Sequence, residues 1–347
     1  MAEALILVVN AGSSSLKLSV LSDDDEVVAA RTTKPDEVDA ALRGLPAVSA
    51  VGHRIVHGGD EFDGPVRVDD RVRRRLEALT DLAPLHQPKS LRALDAVTRA
   101  LPDVPAFASF DTAFHTTIPR AAATYALPSE WRRRWDLRRY GFHGLSHAYI
   151  ARQVPDGRVV SCHLGAGASL CAIDHGVSVD TTMGFTPLEG LVMATRAGSV
   201  DPGLILWLEE HVGMPPAELA ATLEHRSGLY GLTGSADLAE ILAAEARGDE
   251  EAALAVGVYL HRLRASIAAM AASLGGVDVI VFTGGVGENA PAIRERALQG
   301  LEFLGVSDVR VVPAREDVEI AAGVRRLLGL RAAELPSDGR HRRDGNP

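Results

Sequence analysis

Two ionisable side chains stand in apolar surroundings, where a charge needs a partner. Arg54 lies inside the apolar run 50–59, and Asp111 directly follows the apolar run 104–110. A buried guanidinium must be paired, so Arg54 forms either a structural salt bridge or a clamp for a carboxylate or phosphate. A carboxylate at the C-terminal end of a buried strand is where α/β enzymes place catalytic groups, although aspartate is also a common turn residue.

Hydroxyl, amide and ammonium groups cluster in the turn after the first apolar run, 5–9, and an alternating segment at 16–20 predicts a returning strand. Gly12 lets the backbone come close to a ligand in this turn. Such groups suit phosphate oxygens, although a hairpin with a solvated serine-rich tip would have the same pattern. The residues concerned are Asn10, Ser13, Ser15 and Lys17.

The same pattern returns in the second half of the chain. The apolar run 158–163 ends in the small residues 164–169, and two alternating segments follow, as they do in the first half. A third glycine-rich stretch, 283–289, is predicted to be a loop between the buried run 277–282 and a helix opened by Pro291. The internal repeat predicts two related halves facing each other. Three strand-to-glycine turns favour a phosphate or nucleotide site.

Composition limits the class of protein. The chain has 347 residues, 46% of them hydrophobic, which at roughly 150 residues per domain predicts two domains with sizeable cores. A net charge of −10 argues against general nucleic-acid binding. The apolar runs are shorter than the roughly 20 residues of a membrane span, and the N-terminus lacks the features of a signal peptide. Cys162 and Cys171 lie in apolar strands and are expected to be core thiols, which fits a reducing cytoplasm.

Hydrophobic periodicity, with glycine and proline at the ends of segments, predicts most of the remaining helices and strands. Two histidine pairs, His53 with His57 and His143 with His147, have the spacing of metal ligands but lack a third ligand or an HExxH pattern. The arginine-rich segment 132–139 is expected to be a solvated surface. The predicted helices are 68–80, 89–101, 145–153, 203–211, 215–224, 235–246, 250–274, 292–304 and 318–328, with strands at 104–110 and 307–312.

Seven segments in order give the chain a resemblance to a known family: VNAGSSSLK, GHRIVHGG, FDTAFH, YGFHGLSH, MGFTPLEGL, TRAGSVDP and FTGGVGEN. They resemble the motifs of the acetate kinase family, of the acetate and sugar kinase, Hsp70 and actin superfamily, from about Leu5 to about Leu328. The resemblance implies an α/β fold of two duplicated actin-like, ribonuclease H-like domains with a cleft between them, and a homodimer through the second domain. Domain I would be 1–114 plus 316–330, domain II 115–315, and the polar tail 331–347 would be disordered.

The activity implied by the resemblance is reversible transfer of a phosphoryl group from ATP to acetate, giving acetyl phosphate and ADP. It would need Mg²⁺, with Mn²⁺ as the other candidate. Arg54 would contact the substrate, and Asp111 would be an essential residue that orients either the acid or the metal. His143 would lie beside the transferring phosphoryl group, where a phosphate would favour its protonated form, and Arg196 would help it to stabilise the transition state.

The remaining site residues are also expected from the resemblance. The acyl pocket would be Val56, Leu85, Phe142 and Pro187. Phosphate and nucleotide contacts would come from Asn10, Ser13, Ser15, Lys17, His163, Gly165, Gly167, Asp237, Gly284, Gly285, Gly287, Glu288 and Asn289, and metal contacts from Asn10 and Glu316.

The chain departs from the family pattern mainly on the nucleotide side. Alanines replace an amide and a hydroxyl in the phosphate loop, and an apolar pair replaces the usual Phe-Arg near the nucleotide base. A different phosphoryl donor, such as another nucleotide or pyrophosphate, therefore stays open, as do a propionate kinase and a non-catalytic nucleotide-binding module. The departures are Ala166, Ala168, Leu238 and Ala239, with Arg315 and Gln87 each in place of an Asn.

Overall fold

The computed structural model describes residues 4–12, 15–34, 37–84 and 86–330. The strands are β1 Ile6–Ala11, β2 Leu16–Leu21, β3 Val27–Thr33, β4 Ala50–Ile55, β5 Val66–Arg67, β6 Ala106–Phe110, β7 Arg158–Leu164, β8 Ala168–Asp174, β9 Val177–Thr181, β10 Val279–Thr283 and β11 Asp308–Val311. The helices are α1 Val38–Leu42, α2 Asp70–Ala78, α3 Gln87–Ala100, α4 Arg120–Ala123, α5 Ser129–Trp135, α6 Gly144–Gln153, α7 Pro202–Trp207, α8 Pro216–His225, α9 Gly228–Thr233, α10 Leu238–Ala246, α11 Glu250–Ser273, α12 Gly284–Asn289, α13 Pro291–Leu298 and α14 Glu316–Leu327.

The strands of the first half form one sheet in the order β3-β2-β1-β4-β6-β5. β1 is antiparallel to β2, whereas β1, β4 and β6 are parallel to one another. Asn10 is opposite Lys17 in the β1–β2 hairpin. Because the carboxyl ends of parallel strands meet at one edge of a sheet, Asn10, Arg54 and Asp111 come together there.

The second sheet repeats this connectivity in the order β11-β10-β7-β8-β9. β7 is antiparallel to β8, and β8 is antiparallel to β9, as β1, β2 and β3 are in the first sheet. β7, β10 and β11 are parallel, as β1, β4 and β6 are. The internal repeat predicted from the sequence is therefore present in the fold.

Helices cover both faces of each sheet. The face of β1 and β4 that carries Ile6 packs against Ile320 and Val324 of α14, and the opposite face packs against α1 and α3. In the second sheet α6 covers one face, and α11 with its neighbours covers the other. Since burial of each large aliphatic side chain contributes about 1.5–3 kcal/mol, these layers supply most of the folding free energy.

Two arginines near the C-terminus hold the turn between β2 and β3. Arg325 is fully buried and donates hydrogen bonds to the Asp25 carboxylate and to the Ser22 carbonyl. Arg315 donates to the Asp25 carbonyl at 2.9 Å and to the Asp317 carboxylate at 2.9 Å. Asp25 has a left-handed φ of 63°, so these bonds fix a turn that is costly for a residue with a side chain. The departure at Arg315 thus has a structural role.

Several predicted boundaries differ from the observed ones. The glycine-rich stretch expected as a loop is the short helix α12, because Gly284 takes a φ of 79° and turns the chain directly out of β10. The helix expected at 203–211 ends at Trp207, where a π-helical turn Leu208–Val212 takes over, and the helix expected to reach 304 ends at Leu298. The arginine-rich segment begins inside the exposed helix α5, as expected for a solvated surface. Its last residue is an exception, because Arg139 is partly buried and donates to Glu189 and to three backbone carbonyls, 181–183. The tail 331–347 lies outside the described residues.

Neither histidine pair has, among the described residues, the further ligands of a metal site. Burial lowers the pKa of His53 and of His57 to about 4, so both rings are neutral at pH 7. No group of three or more potential metal-ligating side chains occurs in the described ranges. Cys162 and Cys171 are buried and unbridged, as predicted for core thiols. Among the described helices, none has the length and hydrophobicity needed to cross a membrane.

A glycine on β4 allows the close approach of α14. A Cβ at Gly52 would lie 2.5 Å from Ile320 Cγ2 and 3.0 Å from Val324 Cγ2. We expect Gly52→Ala to lower the free energy of unfolding by about 1–3 kcal/mol, because the helix must shift to admit the methyl group. The Cβ position of Gly257 in α11 meets open space, so Gly257→Ala should raise the same quantity by about 0.5–1 kcal/mol. Urea unfolding measures both, and shifts of the same sign would contradict this packing.

Candidate active site

Four side chains form a charged cluster where β1, β4, β6 and α14 meet. Arg54 donates from Nε to Asp111 Oδ1 at 2.9 Å and from Nη2 to Asp111 Oδ2 at 2.7 Å. Arg54 Nη1 lies 3.2 Å from both Asn10 Oδ1 and Glu316 Oε2. Asn10 Nδ2 donates to Glu316 Oε2 at 3.1 Å. The guanidinium predicted to need a partner is thus paired, and side chains from separate motifs converge.

Burial and pairing oppose each other in this cluster. Burial disfavours the charged form of Arg54, but Asp111 and Glu316 together outweigh it and raise the pKa of Arg54 above its usual value. Burial raises the pKa of Asp111, although the paired arginine works against that shift. For Glu316 burial is outweighed by Arg54 and His163, and the pKa of its carboxyl is lowered. Arg54 and Glu316 are therefore charged at neutral pH.

A cavity of about 340 Å³ opens beside this cluster and is lined by both halves of the chain, with Arg54, Lys89 and Asp111 from the first half and His143 and Arg196 from the second. Arg196 is partly buried and donates from Nη1 to the Pro187 carbonyl at 2.8 Å. No carboxylate of the described residues forms a salt bridge with Arg196. Burial lowers its pKa, against the attraction of Glu224. A guanidinium with N–H groups left facing a cavity favours an anionic ligand.

His143 stands at the start of α6 with a left-handed φ of 56°. Its ring stacks on His163 with centroids 4.3 Å apart, and its Nδ1 lies 2.9 Å from Ser169 Oγ. Burial lowers the pKa of His143 well below its usual value, and His163 and Arg54 add to the shift. The free protein therefore holds this ring neutral. The protonated form expected from the sequence would need the charge of a bound phosphate.

The apolar residues expected for the acyl pocket lie in the same cavity. Val56, Phe142 and Pro187 line it together with Arg54. Leu85 lies outside the described residues. Gln87, which departs from the family pattern in the same loop, is fully buried elsewhere. Its amide binds the backbone of His57 and the carbonyl of Leu76 and so has a structural role.

A second cavity, of about 650 Å³, adjoins the first, and Ala166 lines both. Its lining includes the predicted nucleotide residues Gly165, Asp237, Gly285 and Asn289, and the apolar departures Leu238 and Ala239. Ala168, by contrast, is fully buried in β8, so the hydroxyl missing there is not one that would face the cavity. A mostly apolar pocket with a few polar groups is the usual form of a small-molecule site.

The end of β1, where the turn expected to bind phosphate begins, lies at the edge of the arginine cavity. Ala11 and Gly12 line that cavity. The Gly12 N–H donates to the Ser15 carbonyl at 2.8 Å, which closes the turn. Lys17 is paired with Asn10 across the hairpin and contributes to lowering the pKa of Glu316. Ser13 lies outside the described residues.

Three other residues predicted to bind the nucleotide lie in α12, which also carries Gly285 and Asn289 of the second cavity. Gly284 and Gly287 are buried at the start and middle of α12. Glu288 Oε1 accepts hydrogen bonds from the Gly284 N–H at 3.1 Å and the Ala314 N–H at 2.9 Å. This oxygen of Glu288 therefore ties α12 to the segment before α14. Neither of these glycines nor Glu288 lines the cavity.

His86 and Lys89 also line the arginine cavity but were not selected from the sequence. Burial lowers the pKa of His86 to about 4, and Arg196 and Lys89 act in the same direction. His86 Nε2 lies 3.9 Å from Glu224 Oε1. The spacing of three residues at the start of α3 would have placed both on one helix face next to the acyl loop.

The oxygen ligands available here suit a divalent cation that binds together with substrate phosphates better than one bound permanently to the protein. Glu316 and Asn10 offer oxygen atoms beside the arginine cavity, and Asp111 is close to both. Mg²⁺ usually keeps several waters and takes one or two carboxylates together with substrate phosphates. These residues therefore fit a divalent cation.

A repeated sheet pair with an arginine-lined cavity beside a larger apolar pocket defines an actin-like phosphotransferase. The chain belongs to the Acetokinase family, whose profile matches residues 36–318. It is 43% identical over 374 residues to an acetate kinase of Coprothermobacter proteolyticus, with 93% of this chain and 94% of the relative covered. It is 39% identical over 392 residues to an acetate kinase of Shouchella clausii, with 93% and 99% covered.

Solved structures agree with this assignment. The acetate kinase of Porphyromonas gingivalis matches with a TM-score of 0.86 and 34% identity, covering 94% of this chain and 100% of that one. A propionate kinase from Francisella tularensis matches with a TM-score of 0.87 and 30% identity, covering 92% and 98%. The expected fold class is confirmed.

Gly167 separates the two groups expected to act on the phosphate. A Cβ there would lie 3.0 Å from Arg196 Nη2 and 3.2 Å from His143 Nε2. We expect Gly167→Ala to lower kcat about tenfold or more, because the methyl group would occupy the space between them; tenfold is about 1.4 kcal/mol. Steady-state transfer to acetate, the acceptor expected from the sequence, measures this. Gly64→Ala, whose Cβ position meets open space, is the control and should keep the wild-type rate.

Proposed function

We propose that this chain catalyses reversible phosphoryl transfer from ATP to acetate, giving acetyl phosphate and ADP. The observation that carries the proposal is Arg196, which faces the cavity without a carboxylate partner among the described residues. Arg54 and Lys89 line the same cavity. Three cationic side chains suit the combined negative charge of a carboxylate and a phosphoryl group. The acetate kinases at 43% and 39% identity support acetate as the acceptor.

Phosphoryl transfer depends on positioning and charge neutralisation. We propose that Arg54 holds the carboxylate of the acid and that Asp111 orients Arg54. Asp111 accepts two hydrogen bonds that fix the plane of that guanidinium. Nη1 also contacts Asn10 and Glu316, so the second N–H of Nη2 is left for a ligand. Arg196 and His143, one on each side of Gly167, would stabilise the equatorial oxygens of the transferring group.

A divalent cation, Mg²⁺ or Mn²⁺, would be held by Glu316 and Asn10. When bound there, it would supply charge neutralisation for the donor phosphates. The turn of Ser13, Ser15 and Lys17 would contact the same phosphates. The lowered pKa of Glu316 keeps its carboxylate ionised and ready to bind a cation at neutral pH.

The larger cavity would hold the nucleoside of ATP. Leu238, Val286 and Tyr259 give it apolar walls for a base, and Asp237 and Asn289 supply polar groups for a ribose. Because Ala166 lines both cavities, a nucleotide in the larger one would point its phosphates toward Arg196. The short side chains at Ala166 and Ala239 make another nucleotide, or pyrophosphate, the donors to compare with ATP.

A short-chain acid other than acetate is the second candidate acceptor. The propionate kinase at 30% identity favours it, because its fold matches this chain as well as that of an acetate kinase does. Val56, Phe142 and Pro187 form the apolar wall that would meet the methyl group of acetate. One methylene is worth only about 1–3 kcal/mol in such a pocket, so relative rates must decide.

The test is a matrix of donors and acids. ATP, GTP and pyrophosphate are each combined with acetate, propionate and butyrate, with and without Mg²⁺ or Mn²⁺, and kcat/KM is measured. We expect the highest value for ATP with acetate and a loss of about 100-fold or more after metal removal, since the metal neutralises the phosphates. A higher kcat/KM for propionate would identify propionate as the acceptor in place of acetate. A higher kcat/KM for pyrophosphate would identify pyrophosphate as the donor in place of ATP.

Two matched arginine variants distinguish the effect on kcat/KM of losing a charge in the cavity from that of losing one on the surface. Arg196→Gln should lower kcat/KM by about 100-fold or more, because it removes the charge that faces the cavity. Arg134→Gln on the exposed helix α5 should leave it unchanged. No transfer with any pair, while nucleotide binding persists, would favour the non-catalytic binding module.

We further propose that 1–114 plus 316–330 and 115–315 act as two domains that close on substrates in a reducing cytoplasm, and that the chain forms a homodimer through the second. Apolar side chains exposed around α7 support the dimer, with Leu206 56% and Trp207 51% accessible.

Exposed apolar area of this kind usually marks an interface. We expect Trp207→Glu, which places a charge on the surface of α7, to shift the solution mass toward one chain. Light scattering measures this, with Trp131→Glu on the separate exposed helix α5 as the control. A wild-type mass of one chain would contradict the dimer.

A further inference from the structure

A line of hydrogen bonds runs from His143 into the protein interior. His143 Nδ1 lies 2.9 Å from Ser169 Oγ, and the same oxygen lies 2.9 Å from His147 Nε2. His147 Nδ1 lies 2.8 Å from Ser161 Oγ. His147, Ser161 and Ser169 are fully buried, so water cannot satisfy a hydrogen atom that the line leaves unpaired. The mechanism proposed above uses only the first member, His143.

Counting hydrogen atoms leaves two directions for this line when both rings are neutral. A serine hydroxyl carries one hydrogen and can accept two. If Ser169 accepted from both histidines, its own buried hydrogen would have no partner, so Ser169 donates to one histidine and accepts from the other. In the outward direction, Ser161 donates to His147 Nδ1, His147 donates from Nε2 to Ser169, and Ser169 donates to His143 Nδ1. In the inward direction every one of these bonds is reversed.

Only the outward direction gives an acceptor to each hydrogen atom that lies between the four side chains. In the inward direction the Ser161 hydroxyl accepts from His147 and its own hydrogen needs another acceptor. Within the described part of the chain, Ser161 Oγ has no second polar neighbour at hydrogen-bond distance. A buried hydroxyl hydrogen without a partner is costly, so the outward direction is favoured.

We propose that Ser161, His147 and Ser169 are positioning residues that fix His143 in the tautomer with its hydrogen on Nε2. His143 Nε2 faces the arginine cavity, because a Cβ on Gly167 would lie 3.2 Å from it and 3.0 Å from Arg196 Nη2. The ring therefore presents a donor to the place expected for a phosphoryl oxygen, without carrying a charge. The other tautomer would present a lone pair to that oxygen and repel it.

The same line opposes protonation of His143. An imidazolium donates from both nitrogens, so Ser169 could no longer donate to His143 and would have to donate to His147. His147 would then move its own hydrogen to Nδ1, and the Ser161 hydroxyl hydrogen would lose its acceptor. Protonation of one ring thus requires two hydroxyls and a second ring to rearrange.

The tautomer can be observed directly in the ligand-free protein. Histidine labelled with ¹⁵N is incorporated into the whole chain, and two-bond correlations to the ring hydrogens identify the protonated nitrogen of each ring. The His143 signals are assigned by their loss in His143→Gln. We expect a hydrogen on Nε2 of both His143 and His147 at pH 8. A hydrogen on Nδ1 of His143 would overturn the proposal.

Two variants of equal size test the direction of the line. In Ser161→Asp an ionised carboxylate offers only acceptors to His147, so at pH 8 it should place a hydrogen on Nδ1 of His147. Where His147 stays neutral, the hydrogen of His143 should then move to Nδ1 as well. Ser161→Asn keeps a donor and should leave both tautomers as in the wild type. We expect kcat to fall tenfold or more for Ser161→Asp and less than threefold for Ser161→Asn, with KM for acetate within twofold in both. Equal tautomers and equal rates in the two variants would overturn the proposal.

Ser178→Ala is the control for loss of a buried serine–histidine bond. Ser178 Oγ lies 2.9 Å from His115 Nδ1, but the Phe142 carbonyl, 3.0 Å from His115 Nε2, already fixes the tautomer of that ring. We expect no change of tautomer at His143 in this variant. If neither Ser161 variant folds, the wild-type spectrum alone decides. The catalytic part of the inference rests on the proposed function, whereas the tautomer does not. If His143 carries its hydrogen on Nε2 but no phosphoryl transfer is detected, the proposed function is rejected and the proposed direction of the hydrogen bonds is retained.

Discussion

Compensation of positive charge is the constraint on which the site depends. Arg54 lies in a strand of the first sheet, where both oxygens of Asp111 hold its guanidinium and Glu316 supplies a second negative charge. Arg196 has no such partner among the described residues and faces the same cavity. The charge of the first arginine is therefore balanced within the protein, whereas the charge of the second is left for a ligand to balance. This difference between two similar side chains points to an anionic substrate.

Strand ends and their polar residues could be predicted from the sequence because the chemistry is local. An apolar run followed by glycine predicted β1, β7 and β10, and Arg54 and Asp111 stood out because charge is rare in such runs. Other properties depend on contacts between distant segments. Ala168 looked like a lost phosphate ligand, yet it packs in the core, and Glu288 binds backbone N–H groups of two separate segments. The direction of a side chain and the partner it finds are set by tertiary packing.

The two cavities and the histidine line meet in a small space. Ala166 lines both cavities, and Gly167 next to it leaves room between Arg196 and His143. Ser169, two residues further on, binds both His143 and His147. One short segment, from the turn after β7 to the start of β8, thus contacts both cavities and the histidine beside them. Glycine suits position 167 because a Cβ there would lie 3.0 Å from Arg196 Nη2 and 3.2 Å from His143 Nε2.

The position of α14 has a consequence for the order in which the protein can be made. This helix, from the last part of the described chain, covers one face of the first sheet and clamps the turn at Asp25 through Arg325. The second sheet is built from a continuous stretch between β7 and β11. During synthesis on the ribosome one apolar face of the first sheet therefore stays uncovered until α14 emerges. The N-terminal strands are the first to be made, but their half is the last to be completed, which exposes them to aggregation and to chaperones in the meantime.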